Sequence, residues 1–276
     1  MQGREKQKLV KSGKKAAKKR IKSLPKASSA LQAAAIDDNE AEAKRLIAAG
    51  ENPDSVFNGI TMMGVATTHG AAKVAKVLLD AGVDPNAACN QYGSVPLMNA
   101  ARTSKVSPAL IKLLLAAGAD VNKVVDLGRW GKSTLLVEAV RGENLGAVKM
   151  LVQAKADLKA TAKGGISPLH VAATREYANT KSYAGTARYN NISEIVRYLA
   201  KAGMNVEART DDDETPLMLA AMYGCGGVID ALVECGAKVN ARTKSGKTAL
   251  TLAKSQRTDS DTSGAVKALI KHGGTM

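Results

Sequence analysis

Apolar and polar residues follow one recurring order along this chain. A short alanine-rich apolar block is followed by a second block with aliphatic residues at helical spacing, and then by a glycine, as in Leu113 to Gly118. This order predicts a helix–turn–helix unit in each copy. Seven copies align, at Ser29, Thr61, Val95, Thr134, Ser167, Thr215 and Thr248.

Each position in the copy has a physical reason. Serine or threonine at the start caps a helix, and proline next, as at Pro168, sits where no backbone N–H is needed. Paired alanines such as Ala172-Ala173 let neighbouring helices approach closely, and a glycine such as Gly118 ends the second helix. Lys155 replaces that glycine in the fourth copy, so we expect a strained or remodelled turn there. The turns leave no room for strands, so we expect an all-α chain whose units are stable only when stacked.

The clearest copies begin Ser167-Pro168-Leu169-His170 and Thr215-Pro216-Leu217, and the clearest exit is Gly118-Ala119-Asp120-Val121-Asn122. These motifs resemble the ankyrin repeat, and the resemblance covers residues 29–274. It implies an ankyrin-repeat solenoid that binds proteins through its loop tips and through the concave face formed by its first helices. Terminal copies that depart from the motif are expected to act as caps.

The basic charge is concentrated at the N-terminus. The formal net charge is +15, and residues 1–28 carry +10 of it. We therefore divide the chain into a basic arm, 1–28, and an ankyrin-repeat domain, 29–276. Like charges favour an extended segment in isolation, and a solvated tail, an RNA or other polyanion contact, a nuclear import signal and an anionic membrane contact all remain open. The candidate nucleic-acid contacts in the arm are Lys11, Lys14, Lys15, Lys18, Lys19, Arg20 and Lys22.

Catalytic chemistry is not indicated. Gly131-Lys132-Ser133-Thr134 lacks the earlier glycine of a phosphate-binding loop, because Asp126 stands in its place. The three histidines do not cluster; His170 is expected to hold a turn together, and His69 and His272 to serve as turn or capping residues. We expect no catalytic residue, cofactor, metal or small-molecule substrate, and hence no enzyme.

The remaining composition bears on the compartment. Three cysteines are too few and too irregularly spaced for a disulfide framework or a zinc site, and they favour a reducing, intracellular location. No apolar run is long enough to span a bilayer, and no secretory signal is expected. Cytoplasm, nucleus and organelle are not distinguished.

Aromatic residues make up only 3% of the chain, which draws attention to where they occur. The stretch 124–130 is longer than a normal connection and ends at the single tryptophan. That side chain is equally compatible with a contact for a partner protein and with a structural role, in which it covers the helix beneath. Tryptophan and arginine are frequent hot spots of interfaces. The predicted protein contacts at the loop tips are Phe57, Tyr92, Leu127, Arg129, Trp130, Asp211, Asp212 and Asp213.

An insertion at 174–191 separates the two helices of the fifth copy. Tyrosines alternate there with basic residues, which suits stacking on bases and pairing with phosphates, or an ordinary protein contact. The candidates are Arg175, Tyr177, Lys181, Tyr183, Arg188 and Tyr189.

The sequence as a whole predicts a non-catalytic protein-interaction adaptor whose arm anchors it to RNA or a ribonucleoprotein particle. The alternative is a purely protein-binding regulator or effector whose arm is a localisation signal.

Overall fold

The computed structural model describes residues 16–103, 108–128, 131–180, 187–255 and 261–276, without the side chains of 175–180, 187–190 and 261–263. Backbone contacts divide the chain into two compact units, Met1–Ala156 and Asp157–Met276.

The first unit consists of helix pairs with two short hairpins. A helix over residues 16–23, α1, precedes the pairs. The pairs are α2 (Ser29–Ile36) with α3 (Glu40–Ala48), α4 (Met62–His69) with α5 (Ala72–Asp80), α6 (Pro96–Arg102) with α7 (Pro108–Ala116), and α8 (Leu135–Arg141) with α9 (Leu145–Gln153). First helices pack on first helices and second helices on second helices, which gives two layers.

The second unit repeats this arrangement. A single 3-10 turn, Lys163–Gly165, precedes three pairs: α10 (Pro168–Thr180) with α11 (Ala187–Lys201), α12 (Pro216–Met222) with α13 (Gly226–Glu234), and α14 (Ala249–Ser255) with α15 (Asp261–Lys271). The first helices α10, α12 and α14 again form one layer and the second helices the other. The predicted fold class, a mostly helical chain of stacked helix pairs, is confirmed.

The predicted caps and close approaches are present. The hydroxyls of Thr61 and Thr134 accept hydrogen bonds from the N–H groups of Gly64 (3.1 Å) and Val137 (3.2 Å). The first copy is shifted by one residue, because Ser28 rather than Ser29 caps α2. The paired alanines are buried throughout, at Ala34-Ala35, Ala100-Ala101, Ala172-Ala173 and Ala220-Ala221.

Lys155 has the left-handed backbone conformation that the missing glycine implied, with φ of 67°. The corresponding position of the preceding repeat is Gly118, with φ of 86°. The prediction of a strained turn after α9 is therefore confirmed.

Two loop tips contain strands, which the sequence analysis wrongly excluded. β1 (Val56–Phe57) pairs antiparallel with β2 (Ile60–Thr61), and β3 (Val124–Asp126) with β4 (Lys132–Thr134). Asn58 and Gly59 join the first pair with φ of 50° and 78°, as a tight two-residue hairpin turn requires. The Asn-Gly step between β-branched and aromatic residues is a hairpin signal that was present in the sequence but was not used.

Much of the insertion at 174–191 is helical rather than a loop. α10 continues to Thr180 and α11 begins at Ala187, so both helices are longer than their counterparts in the next repeat. Arg175 and Tyr177 lie on α10, and Arg188 and Tyr189 lie on α11, where the side chains are outside the description. Lys181 and Tyr183 lie outside the described residues altogether, so the nucleic-acid role of this segment stays a prediction.

Candidate functional site

The basic N-terminal segment is docked on the first unit rather than extended over residues 16–27. Ala17 and Ile21, four positions apart on α1, are only 7% and 5% exposed. Beyond the helix, the carbonyl of Pro25 accepts from the N–H of Val56, and the N–H of Ala27 donates to the carbonyl of Val56, both at 2.8 Å. The like-charge repulsion that favours an extended segment is overcome here by apolar burial and by these backbone bonds.

Arg20 fixes α1 to the body. Its guanidinium donates to the carbonyl of Ala88 at 2.9 Å and forms an ion pair with Asp54. The ion-paired side chains are both about one-third exposed. Two nitrogens of the guanidinium are therefore engaged within the molecule and hold α1 in place, and the predicted polyanion contact of Arg20 stays a prediction.

The lysines of this segment have the opposite character. Lys18, Lys19, Lys22 and Lys26 are exposed, and no ion pair among the described residues involves them. Since Ala17 and Ile21 occupy the docked face of α1, the lysines project from the remaining faces. The docked segment therefore presents a cationic surface next to the loop tips. Lys11, Lys14 and Lys15 lie outside the described residues.

A cleft of about 390 Å³ lies between α1 and the tips of the second and third repeats. Lys18, Ile21 and Lys22 line it on the helix side; residues 58–60 and 90–92 line it on the tip side. Tyr92 is 52% exposed and Ile60 is 40% exposed, so the cleft offers both apolar and cationic groups. We call it the α1–tip cleft.

Hydrogen bonds fix the turn that carries Tyr92. The side-chain oxygen of Asn90 accepts from the N–H of Tyr92 at 2.9 Å, and its amide donates to the hydroxyl of Ser94 at 2.7 Å. Gly93 closes the turn with φ of 82°, and a Cβ placed on it would lie 3.8 Å from that of Ala17. Both walls of the α1–tip cleft are thus held in position without a ligand.

The other predicted protein contacts differ in their exposure to solvent. Phe57 is half-buried beside a smaller cleft that Lys26 also lines, and Leu127 is half-buried. Arg129 and Trp130 lie outside the described residues. Asp211 and Asp212 are exposed, but Asp213 forms an ion pair with Arg209 at 3.0 Å. Of the four acids at that tip, only Asp211 and Asp212 are exposed, and Asp213 and Glu214 are half-buried.

His170 has the structural role predicted for it. It is fully buried; its Nε2–H donates to the carbonyl of Glu214 at 3.0 Å, and Nδ1 accepts from the hydroxyl of Ser167 at 2.7 Å. Burial lowers the pKa of the imidazole, and the carbonyl of Glu214 opposes this shift. The ring links the start of α10 to the next loop tip as a neutral group.

The other two histidines end helices. His69 is the last residue of α4, and its Nδ1–H donates to the carbonyl of Val65 at 2.9 Å. His272 follows α15, and its Nε2 lies 2.6 Å from the carboxylate of Asp230 on α13. The helix-end positions match the prediction, whereas the contact with Asp230 was not predicted.

A buried carboxylate on α8 was missed by the sequence analysis. Glu138 is fully buried; one oxygen accepts from the hydroxyl of Ser133 at 2.6 Å and lies 3.0 Å from Arg141, and the other lies 3.7 Å from Arg102. In the sequence Glu138 is flanked on both sides by apolar residues, and this is the one signal that could have identified it as a buried acid. Its contacts are those of a structural network joining β4, α6 and α8.

The described residues contain no group of three or more histidine, cysteine or acidic side chains placed to hold a metal ion. The three cysteines are free thiols, and burial raises the pKa of Cys89 to about 12. Among the helices described, none is long and apolar enough to cross a membrane.

Comparison with known proteins identifies the repeats. The family model for ankyrin repeats matches residues 97–183 and 182–276. The ankyrin-repeat domain of human ASB11 superimposes with a TM-score of 0.71 at 26% identity, covering 90% of this chain and all of that one. The ankyrin-repeat domain of Bcl-3 gives a TM-score of 0.65 at 24% identity over 89% of this chain and 99% of that one, which shows the fold alone.

Similarity to curated proteins is confined to parts of them. Alpha-latrocrustotoxin-Lt1a of Latrodectus tredecimguttatus is 31% identical over 148 residues, 53% of this chain and 9% of that protein. Protein fem-1 homolog A of Bos taurus is 36% identical over 90 residues, 33% of this chain and 14% of that protein. The chain therefore spans only a small part of the relatives that it matches.

Proposed function

The chain belongs to the ankyrin-repeat family, and we propose that it is an adaptor that binds protein through its repeats and RNA or a ribonucleoprotein particle through its basic N-terminal segment. Ankyrin repeats are protein–protein interaction scaffolds and generally non-enzymatic. The protein side of the proposal uses the loop tips and the first-helix face of each unit, with Arg129 and Trp130 as predicted hot spots. An intracellular location belongs to the proposal and is supported by the three free thiols.

The docked α1 is the observation that carries the RNA side of the proposal. Lys18, Lys19 and Lys22 stand exposed on a helix that Ala17, Ile21 and Arg20 already hold in place. Cations on an ordered helix lose less conformational freedom on binding than cations on a free tail. Their charge favours a polyanion, and each phosphate neutralised releases counterions.

The structure changes how this proposal is tested. Deleting residues 1–28 also removes the contacts of Arg20 with Asp54 and Ala88 and those of Pro25 and Ala27 with Val56, so a loss of binding has two explanations. Replacing Lys18, Lys19 and Lys22 by glutamine removes only charge. Replacing the exposed Lys112, Lys123 and Lys159 by glutamine removes the same charge elsewhere and serves as the matched control.

Fluorescence anisotropy of a labelled RNA, measured against salt concentration, then shows whether RNA binding depends on the lysines of α1 or on the total charge of the chain. The α1 variant should bind more weakly than the unchanged chain, and the slope of log affinity against log salt should fall by about 2, as expected for three lost phosphate contacts on a single strand. The control variant should change the slope much less. Equal effects of the two variants, or unchanged binding in the α1 variant, would refute the RNA proposal and favour the localisation-signal alternative.

A further inference from the structure

The composition of the α1–tip cleft goes beyond what a polyanion needs. Lysines alone would suffice to bind phosphates, yet the cleft also holds the exposed ring of Tyr92, the exposed side chain of Ile60 and the amides of Asn58 and Gln91. Its volume of about 390 Å³ lies within the roughly 300–1,000 Å³ of small-ligand sites. These features suit a ligand in which a planar, partly apolar group is attached to an anion.

A nucleotide of single-stranded RNA has this chemistry. A base stacks on an aromatic side chain irrespective of sequence, while the phosphates beside it pair with basic residues. Lys18 and Lys22 are one helical turn apart on the side of α1 that faces the cleft, and Tyr92 lies on the opposite wall. Asn58 and Gln91 are exposed and form no side-chain hydrogen bond with the described part of the chain, so their amides are available to base edges.

We propose that the α1–tip cleft binds an unpaired base of single-stranded RNA, with Tyr92 as the stacking platform and Lys18 and Lys22 on the flanking phosphates. This inference rests on the proposed RNA binding and adds to it a preference for single strands. In a duplex the bases are paired and stacked on one another, so they cannot enter the cleft. The fixed turn at Asn90 and the docked α1 form the cleft before RNA arrives.

The test compares a short fluorescein-labelled oligouridylate with an RNA duplex of the same length, using the full chain and fluorescence anisotropy. Tyr92→Leu keeps an apolar side chain but removes the ring, and it should weaken oligouridylate binding by about fivefold or more while leaving duplex binding unchanged. Tyr92→Phe keeps the ring and should bind both like the unchanged chain. Tyr223→Leu removes another partly exposed tyrosine and serves as the control. Because Tyr92 is exposed, a thermal melt should show each variant folded.

Other outcomes have distinct meanings. If Tyr92→Leu weakens neither RNA, or weakens both equally, the stacking inference is wrong although RNA binding stands. If a labelled peptide of alternating glutamate and leucine binds and loses affinity in Tyr92→Leu while oligouridylate does not, the cleft is a protein site and the inference is also wrong. If the unchanged chain binds neither RNA, the proposed function itself fails.

Discussion

Replacing Lys155 by glycine should stabilise the first unit. Lys155 is exposed and has φ of 67°, a conformation that costs a residue with a Cβ about 1–2 kcal/mol. Glycine removes that cost but loses about 0.5–1 kcal/mol more conformational entropy on folding. The free energy of unfolding should therefore rise by about 0.5–1 kcal/mol.

The same repeat frame supplies two controls. Gly118 occupies the equivalent position with φ of 86°, and nothing lies within 4 Å of a Cβ added there. Gly118→Lys therefore tests backbone conformation without a clash and should destabilise the first unit by about 1 kcal/mol. Lys155→Ala removes the charge but keeps the strain, so it should give no gain.

Urea unfolding followed by circular dichroism measures all three variants. The two units need not unfold together, so the transition that moves in Gly118→Lys identifies the first unit, and its midpoint is compared at unchanged slope. A gain in Lys155→Gly with none in Lys155→Ala is expected. If Lys155→Gly is neutral or destabilising while Gly118→Lys destabilises, the reasoning from backbone strain at Lys155 is refuted.

Three further predictions concern buried polar groups. Glu138→Ala should lower the free energy of unfolding by about 1–3 kcal/mol, because it leaves the buried hydroxyl of Ser133 without its acceptor, whereas Arg102 and Arg141 are partly exposed and remain solvated; a loss well under about 1 kcal/mol in urea unfolding would contradict the network. The pKa of His170 is lowered by burial, so its stabilisation is present above the unfolded-state pKa and is lost as pH falls through the lower folded-state pKa. Urea midpoints between neutral and mildly acidic pH should fall less in His170→Gln, and equal falls would oppose this assignment. A thiol reagent at mildly alkaline pH should modify Cys235 in the folded chain and spare Cys89, whose buried thiol has a pKa of about 12; simultaneous labelling would show that the burial is transient.

Local patterns predicted the repeat frame well. The threonine caps, the buried alanine pairs and the strain at Lys155 each depend on neighbours within a few residues. The hairpin at Asn58-Gly59 is equally local, and its turn signal was present in the sequence. The strands were missed because the helix–turn–helix pattern was extended to every tip.

The candidate site depends on distant contacts and was only half predicted. Lys18 and Tyr92 were both identified, but as parts of an RNA-binding arm and a protein-binding tip. They line one cleft because Arg20 reaches Asp54 and Ala88, which lie 34 and 68 positions along the chain. Charge patterning alone favoured an extended arm, because it does not count the burial of Ala17 and Ile21. Contacts between residues so far apart in the sequence can be identified only from the folded structure.

The most direct test of the whole account is affinity purification of the full chain from cells, with and without nuclease, followed by identification of RNA and proteins that remain bound. The account predicts that RNA accompanies the unchanged chain, that nuclease removes it while a protein partner stays, and that glutamine at Lys18, Lys19 and Lys22 reduces the RNA but not the protein. Absence of RNA from the unchanged chain, or an equal loss with glutamine at Lys112, Lys123 and Lys159, would contradict it.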